Sequence, residues 1–199
     1  MCASLGLLRP GQASRLRAAG ISRFNHNLES GPSFFRRIVS THTWEDRAAT
    51  VRRSREEGME ACCGGIIGMG EGPEDVVDLA FALRELEVES IPINFLDPRP
   101  GTALGDRRLQ DPKYCLKVLA MFRFVHPDKE LRVAGGREVN LRELQPQALY
   151  AVNSMFTEGY LTTEGNRHRD DIEMILRAGF EIEGEEAFPE SAVLGRLSP

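Results

Sequence analysis

The heptapeptide FNHNLES, residues 24–30, places two amides and a carboxylate at alternate positions of a stretch that otherwise reads as a strand. Side chains on a strand alternate with period two, so Asn25, Asn27 and Glu29 share one face while His26 and Leu28 take the other. Such groups, if buried, need hydrogen-bond partners, which a polar ligand can supply. The competing reading is an exposed edge strand or loop, where Asn and Ser are common. Cys62 and Cys63 are neighbours in another strand-like run, so only one of them can face a given side. Cys2, Cys62 and Arg132 fall in the first, third and fifth strand-like segments, the distribution of groups directed from several strands at one interior. Cys115 lies in a helical stretch and reads as inert packing. His26, His42, His126 and His168 show no metal-ligand spacing and read as surface or packing residues. The run CCGGIIGMGEG, 62–72, has two readings: a phosphate cradle ahead of a helix N-terminus, or close helix–strand packing. It has neither the GxGxxG order of a dinucleotide fingerprint nor the lysine of a P-loop.

The elements that must position these groups alternate along the chain. Strand-like segments at 2–8, 21–29, 60–70, 90–96 and 130–138 are followed by helical patterns at 11–19, 43–58, 73–86 and 111–125, and then by two more helices at 145–156 and 170–178. Thr43 is placed to cap its helix, with Glu45 and Asp46 in the first turn. Pro73 suits a first turn, and Val76, Leu79, Ala80, Leu83 and Leu86 form one stripe. Val118, Met121, Phe122 and Val125 form another. Five strand–helix units in series predict a parallel sheet. Polar residues on successive strands, rather than in the loops alone, favour part of a (β/α)8 barrel, which turns them toward a common axis. The expectation is therefore an α/β chain with about five of eight barrel units over 1–183, a C-terminal helical extension, and a disordered tail at 184–199.

Composition narrows the function. The 199 residues are 41% hydrophobic and 28% charged, ordinary for a folded soluble domain, and no apolar run reaches the roughly 20 residues that cross a bilayer. A net charge of -5 with dispersed Lys and Arg argues against nucleic-acid binding. The absence of CxxC spacing argues against a secreted disulfide framework. The first 28 residues hold Arg9, Arg15, Arg17 and Arg23 and no acid, which suits a basic helix or a mitochondrial presequence.

FNHNLES together with GMEACCGGIIGMGE, ESIPIN, GTAL and LRVAGGRE resembles the biotin synthase family of radical S-adenosylmethionine enzymes, in the same order and at similar intervals from Cys2 to about Glu183. The resemblance implies a barrel with a 4Fe-4S cluster that cleaves S-adenosylmethionine and a 2Fe-2S cluster that donates sulfur to dethiobiotin. It makes Cys2, Cys62 and Arg132 ligands of the 2Fe-2S cluster, although arginine is a chemically surprising ligand. It assigns Asn27, Glu29, Arg47, Ile66 and Asn94 to S-adenosylmethionine, and Asn25, Asn27 and Asn94 to dethiobiotin. Arg47 would grip the methionyl carboxylate and Ile66 would pack on adenine. Many relatives carry Asp at the position of Glu29. The family also implies a flavodoxin or ferredoxin electron donor, a homodimer at full length, and a cytoplasmic setting, or a mitochondrial one in a eukaryote.

The family's CxxxCxxC motif for the 4Fe-4S cluster is absent from these 199 residues, as is a fourth 2Fe-2S ligand. The expectation is thus the C-terminal portion of a biotin synthase, inactive and aggregation-prone when isolated. Two alternatives stand beside it: a noncatalytic remnant or half of a split enzyme, and an unrelated barrel enzyme that binds a phosphorylated ligand at GGIIGMGEG.

Overall fold

The computed structural model describes residues 1–158 and 165–183. Its elements in chain order are β1 (Cys2–Ala3), α1 (Gln12–Ala18), β2 (Arg23–Asn25), α2 (Pro32–Phe35), α3 (Trp44–Glu56), β3 (Glu60–Cys62), β4 (Gly65–Ile67), α4 (Pro73–Glu85) and β5 (Ser90–Phe95). They continue with α5 (Pro112–Val125), β6 (Glu130–Val133), α6 (Arg137–Leu141), a 3-10 turn (Arg142–Leu144), α7 (Gln145–Ala148), β7 (Ser154–Met155) and α8 (His168–Arg177). All pairings are parallel, and the sheet runs β1-β2-β3-β5-β6-β7 with β4 also paired to β5. This is an α/β partial barrel.

Every strand splits its side chains between two environments. Ala61, Cys63, Ile67, Ile91, Ile93, Phe95, Leu131 and Val133 enter one core with Val76, Leu79, Leu83, Val118, Leu119 and Phe122 of the helices. Each large aliphatic buried there contributes about 1.5–3 kcal/mol. The intervening residues, among them Asn25, Cys62, Asn94 and Arg132, are thereby turned to the opposite, inner face. The helix stripes take the expected sides. Thr43 caps α3, accepting from the Asp46 amide at 3.1 Å while Asp46 Oδ2 accepts from the Thr43 amide at 2.8 Å. Asp111 caps α5 by accepting from the amides of Lys113 and Tyr114.

The strands are shorter than the alternating patterns suggest, and the expected 60–70 strand is two pieces, β3 and β4, separated at Cys63 and Gly64. A Cβ on Gly64 would lie 1.8 Å from the Pro92 carbonyl oxygen, and one on Gly65 2.6 Å from that of Glu29. The glycine pair thus serves close backbone packing rather than a phosphate cradle.

The expected helix at 145–156 is a correction. Helix α7 ends at Ala148, and Ser154–Met155 forms a sixth strand position, pairing Arg132 with Ser154 and Val133 with Met155. Asn153 decides this: its side-chain oxygen accepts from the Leu131 amide at 2.8 Å and from Arg123 Nη2 at 3.0 Å, fixing the chain at the start of the strand. The helical extension is present as α8. It is locked by Asp171, fully buried, against Arg137, 1% exposed, and Gln145 shares the same guanidinium. The tail assigned to 184–199 lies outside the described residues.

Candidate functional site

A cavity of about 460 Å³ opens at the C-terminal ends of the strands, where barrel folds gather their ligands. Asn25, Asn27, Glu29, Arg47, Ile66 and Asn94 all line it, with Ser4, His26, Leu96, Asp97, Gly135 and Gly136. The FNHNLES alternation survives: Phe24, His26 and Leu28 are buried, and the three polar residues between them are half-buried at the cavity wall. Glu29 reaches its place by an irregular route. Its backbone is left-handed, at φ 69°, and bridges Gly65 rather than continuing β2.

The polar side chains are partly committed to the scaffold. Asn27 Oδ1 accepts from the Gly64 amide at 3.0 Å. Asn94 ties two strand ends together, donating to the Gly65 carbonyl at 3.2 Å and accepting from the Gly135 amide at 3.0 Å. Arg47, carried on the first turn of α3, donates through Nε to the Asn27 carbonyl at 2.5 Å and through Nη2 to Glu29 Oε1 at 2.9 Å. The other oxygen of Glu29, Oε2, is buried without a partner. Burial pushes the Glu29 carboxyl above its ordinary range, against the opposing pull of Arg47 and the Asn27 bond. A buried carboxylate oxygen with nothing to accept from invites a hydroxyl or amine.

Below the cavity sits a second group. Cys62 pairs in register with Asn25, whose amide nitrogen lies 3.3 Å from the Cys62 sulfur. Cys2 is close enough for Cys62 to raise its thiol further above the ordinary range, the larger cause being burial, while Arg23 and Arg132 act the other way. Arg132 is aimed by Ser154, which accepts from Nε at 2.8 Å, by an ion pair with Glu130, and by the Phe156 ring 4.9 Å from its guanidinium carbon. Cys63 faces the helices, wholly buried in the apolar core, with its thiol pushed far up by desolvation. Cys115 is likewise buried, its thiol raised to about 12.

Two thiols and a guanidinium on one face suit part of an iron–sulfur ligand set. They do not complete one: among the described residues no three His, Cys, Asp or Glu side chains gather as a metal site. Nothing in the 199 residues offers the three cysteines of a CxxxCxxC motif, so the residues present do not fit a 4Fe-4S cluster. No described helix is long and apolar enough to cross a membrane.

The sequence spacing marks His26 and His42 as surface or packing residues, yet both belong to this neighbourhood. His26 lines the cavity with Nε2 buried and unpartnered, and His42 touches Arg47. Parity along the strand pointed His26 away from the cavity, and nothing in the spacing of His42 marked it. Burial, aided by Arg47 and His42, lowers the His26 pKa from 6.5 to about 4. The folded state therefore prefers neutral His26, and its contribution to stability is complete above pH 6.5 and is lost as pH falls from 6.5 through 4. Urea midpoints measured across that window are expected to drop more steeply for the wild type than for His26→Gln, and parallel curves would contradict this.

Two family models match. The Radical SAM superfamily covers residues 1–83, and the Biotin and Thiamin Synthesis associated domain covers residues 92–181. The biotin synthase of Salinibacter ruber is 59% identical over 91% of this chain and 50% of its own length, and that of Rhodopirellula baltica 53% over 92% and 51%. Among solved structures, methylornithine synthase superposes with a TM-score of 0.71 at 16% identity, over 90% of this chain and 58% of that one. The FeFe-hydrogenase maturase HydG from Carboxydothermus hydrogenoformans gives 0.73 at 15%, over 90% and 47%. These two show the fold alone. With both models placed end to end along the sheet just described, the chain belongs to the biotin synthase family and spans about half the length of the curated relatives it matches.

Proposed function

We propose that this chain supplies the ligand-binding portion of a biotin synthase, which converts dethiobiotin to biotin by radical sulfur insertion with S-adenosylmethionine. The observation that carries the reading is the cavity wall itself, where Asn25, Asn27, Glu29, Arg47, Ile66 and Asn94 converge from four segments of the chain. Glu29, through its unpartnered Oε2, would accept from ribose hydroxyls. Arg47 would hold the methionyl carboxylate, Ile66 would cover adenine, and Asn25 with Asn94 would hold the ureido group of dethiobiotin. Cys2, Cys62 and Arg132 would provide three ligands of a 2Fe-2S cluster beneath. Bound clusters would supply the electron that cleaves S-adenosylmethionine and the inserted sulfur. Each thiol must release its proton to take iron, so cluster loading would liberate acid. A flavodoxin- or ferredoxin-like reductant and a homodimer complete the picture.

The test joins this chain to the complementary half of the Salinibacter ruber relative. Reconstituted anaerobically, the chimera is expected to form biotin and 5′-deoxyadenosine, and the 199-residue chain alone neither, since the CxxxCxxC ligands are missing from it. Enzyme-like deoxyadenosine production by the chain alone, or a folded, cluster-loaded chimera that binds no dethiobiotin, would refute the reading.

A further inference from the structure

The Arg47 guanidinium has a third neighbour that the family resemblance does not assign. His42 Nε2 lies 3.0 Å from Arg47 Nη1, and His42 Nδ1 lies 2.9 Å from Thr41 Oγ1. A guanidinium only donates, so Nε2 must accept; the ring is then neutral, and its one proton sits on Nδ1, donated to the Thr41 hydroxyl. The ring is braced edge-on by Phe35, itself fully buried, with centroids 5.7 Å apart.

Counting donors shows what this does for the site. Arg47 has five N–H groups, of which Nε–H goes to the Asn27 carbonyl, one on Nη2 goes to Glu29, and one on Nη1 goes to His42. One N–H is left on each terminal nitrogen, the pair that a carboxylate accepts as a fork. Asn27 and Glu29 hold one edge of the planar group, while His42 holds the nitrogen farther from them. A guanidinium held only along one edge can rock out of plane, and the two free N–H groups then lose their common direction.

We propose that His42, oriented by Thr41, is a positioning residue that aims the Arg47 fork at a ligand carboxylate. The inference rests on the reading of this cavity as the S-adenosylmethionine site, and it predicts a selective defect. Titration calorimetry would compare S-adenosylhomocysteine, which carries the amino-acid carboxylate, with 5′-methylthioadenosine, which lacks it, on the chimera described above.

For His42→Ala the expected result is about a tenfold weaker affinity for S-adenosylhomocysteine and a change under about twofold for 5′-methylthioadenosine, the size of one aligned charge-assisted bond. His42→Gln, whose side-chain oxygen can accept where Nε2 does, is expected to restore most of the loss. Misfolded protein would lower the binding stoichiometry of both ligands alike, not the affinity ratio. Equal losses for the two ligands, or no loss for either, would overturn the positioning role while leaving the pocket assignment in place. A wild type that binds neither ligand, or does not favour the one with the carboxylate, would overturn the assignment of the cavity and the inference with it.

Discussion

Replacing Cys62 with alanine in the chimera is expected to abolish the visible absorption of the 2Fe-2S cluster and biotin formation together, while binding of S-adenosylhomocysteine persists. Cys63→Ala is expected to leave all three intact and to cost about 1 kcal/mol of stability, the price of a small cavity in the core. The contrast follows from the facing of one strand. Cys62 lies beside the Asn25 amide on the inner face, and Cys63 lies among the apolar residues under the helices. A residue whose thiol is fully buried in the core under the helices cannot reach a cluster on the other side of the sheet without inverting the strand, and a one-position slip would turn Ala61 out of the core along with Cys63. Absorption spectra and iron analysis of the two variants decide the matter. Equal loss in both, or loss in Cys63→Ala alone, would show that the facing is wrong and that Asn25, Asn27 and Asn94 must be reassigned with it.

Gly64→Ala is expected to destabilise the chain by about 3 kcal/mol or more, the upper range for overpacking. Added there, a methyl group would meet the carbonyl oxygen of Pro92 at 1.8 Å and its carbon at 2.8 Å, both backbone atoms of a central strand that cannot swing aside. The same residue's carbonyl accepts from the amides of Leu28 and Glu29, so any shift also strains the segment that carries the cavity's carboxylate. Gly20→Ala is the control. Gly20 has φ +90° but open space around it, so only the backbone penalty of about 1–2 kcal/mol applies. Urea unfolding that ranks the two variants equally would argue against close packing as the role of the glycine pair.

Much of this architecture was legible in the order of residues. Helices α3, α4 and α5 announced themselves by caps and stripes, and the polar residues of successive strands pointed to a shared interior, because period-two and period-3.6 patterns are imposed by burial. The segment 145–156 was not legible, since its apolar residues satisfy a helical period until Asn153 pairs with Leu131 and Arg123, contacts from 22 and 30 residues away. Arg47 as a wall of the cavity came only from family resemblance, and His42 from neither source. Its role depends on a hydrogen bond between the start of a helix and the loop before it, where sequence spacing has no fixed geometry. His26 lines the cavity although parity placed it on the other face, because β2 ends at Asn25 and period two no longer fixes the side of the next residue.

The buried pair of Arg137 and Asp171 has a consequence for how the protein is made. Neighbours in the sheet are neighbours in sequence, so each strand can dock as soon as its unit leaves the ribosome, with loops such as the 37 residues from Arg23 to Glu60 closing at modest entropic cost. Arg137 is the exception. Its guanidinium enters the interior beside Gly136 with Glu138, the next residue, as an ion-pair partner at 3.1 Å, yet the fully buried carboxylate that shares it arrives 34 residues later, on α8. At a synthesis rate of about 5–20 residues per second, that leaves seconds in which a charge destined for burial has Glu138 beside it but not the buried carboxylate of Asp171. The packing of Arg137 beside the cavity wall at Gly135 and Gly136 is therefore complete only once α8 docks.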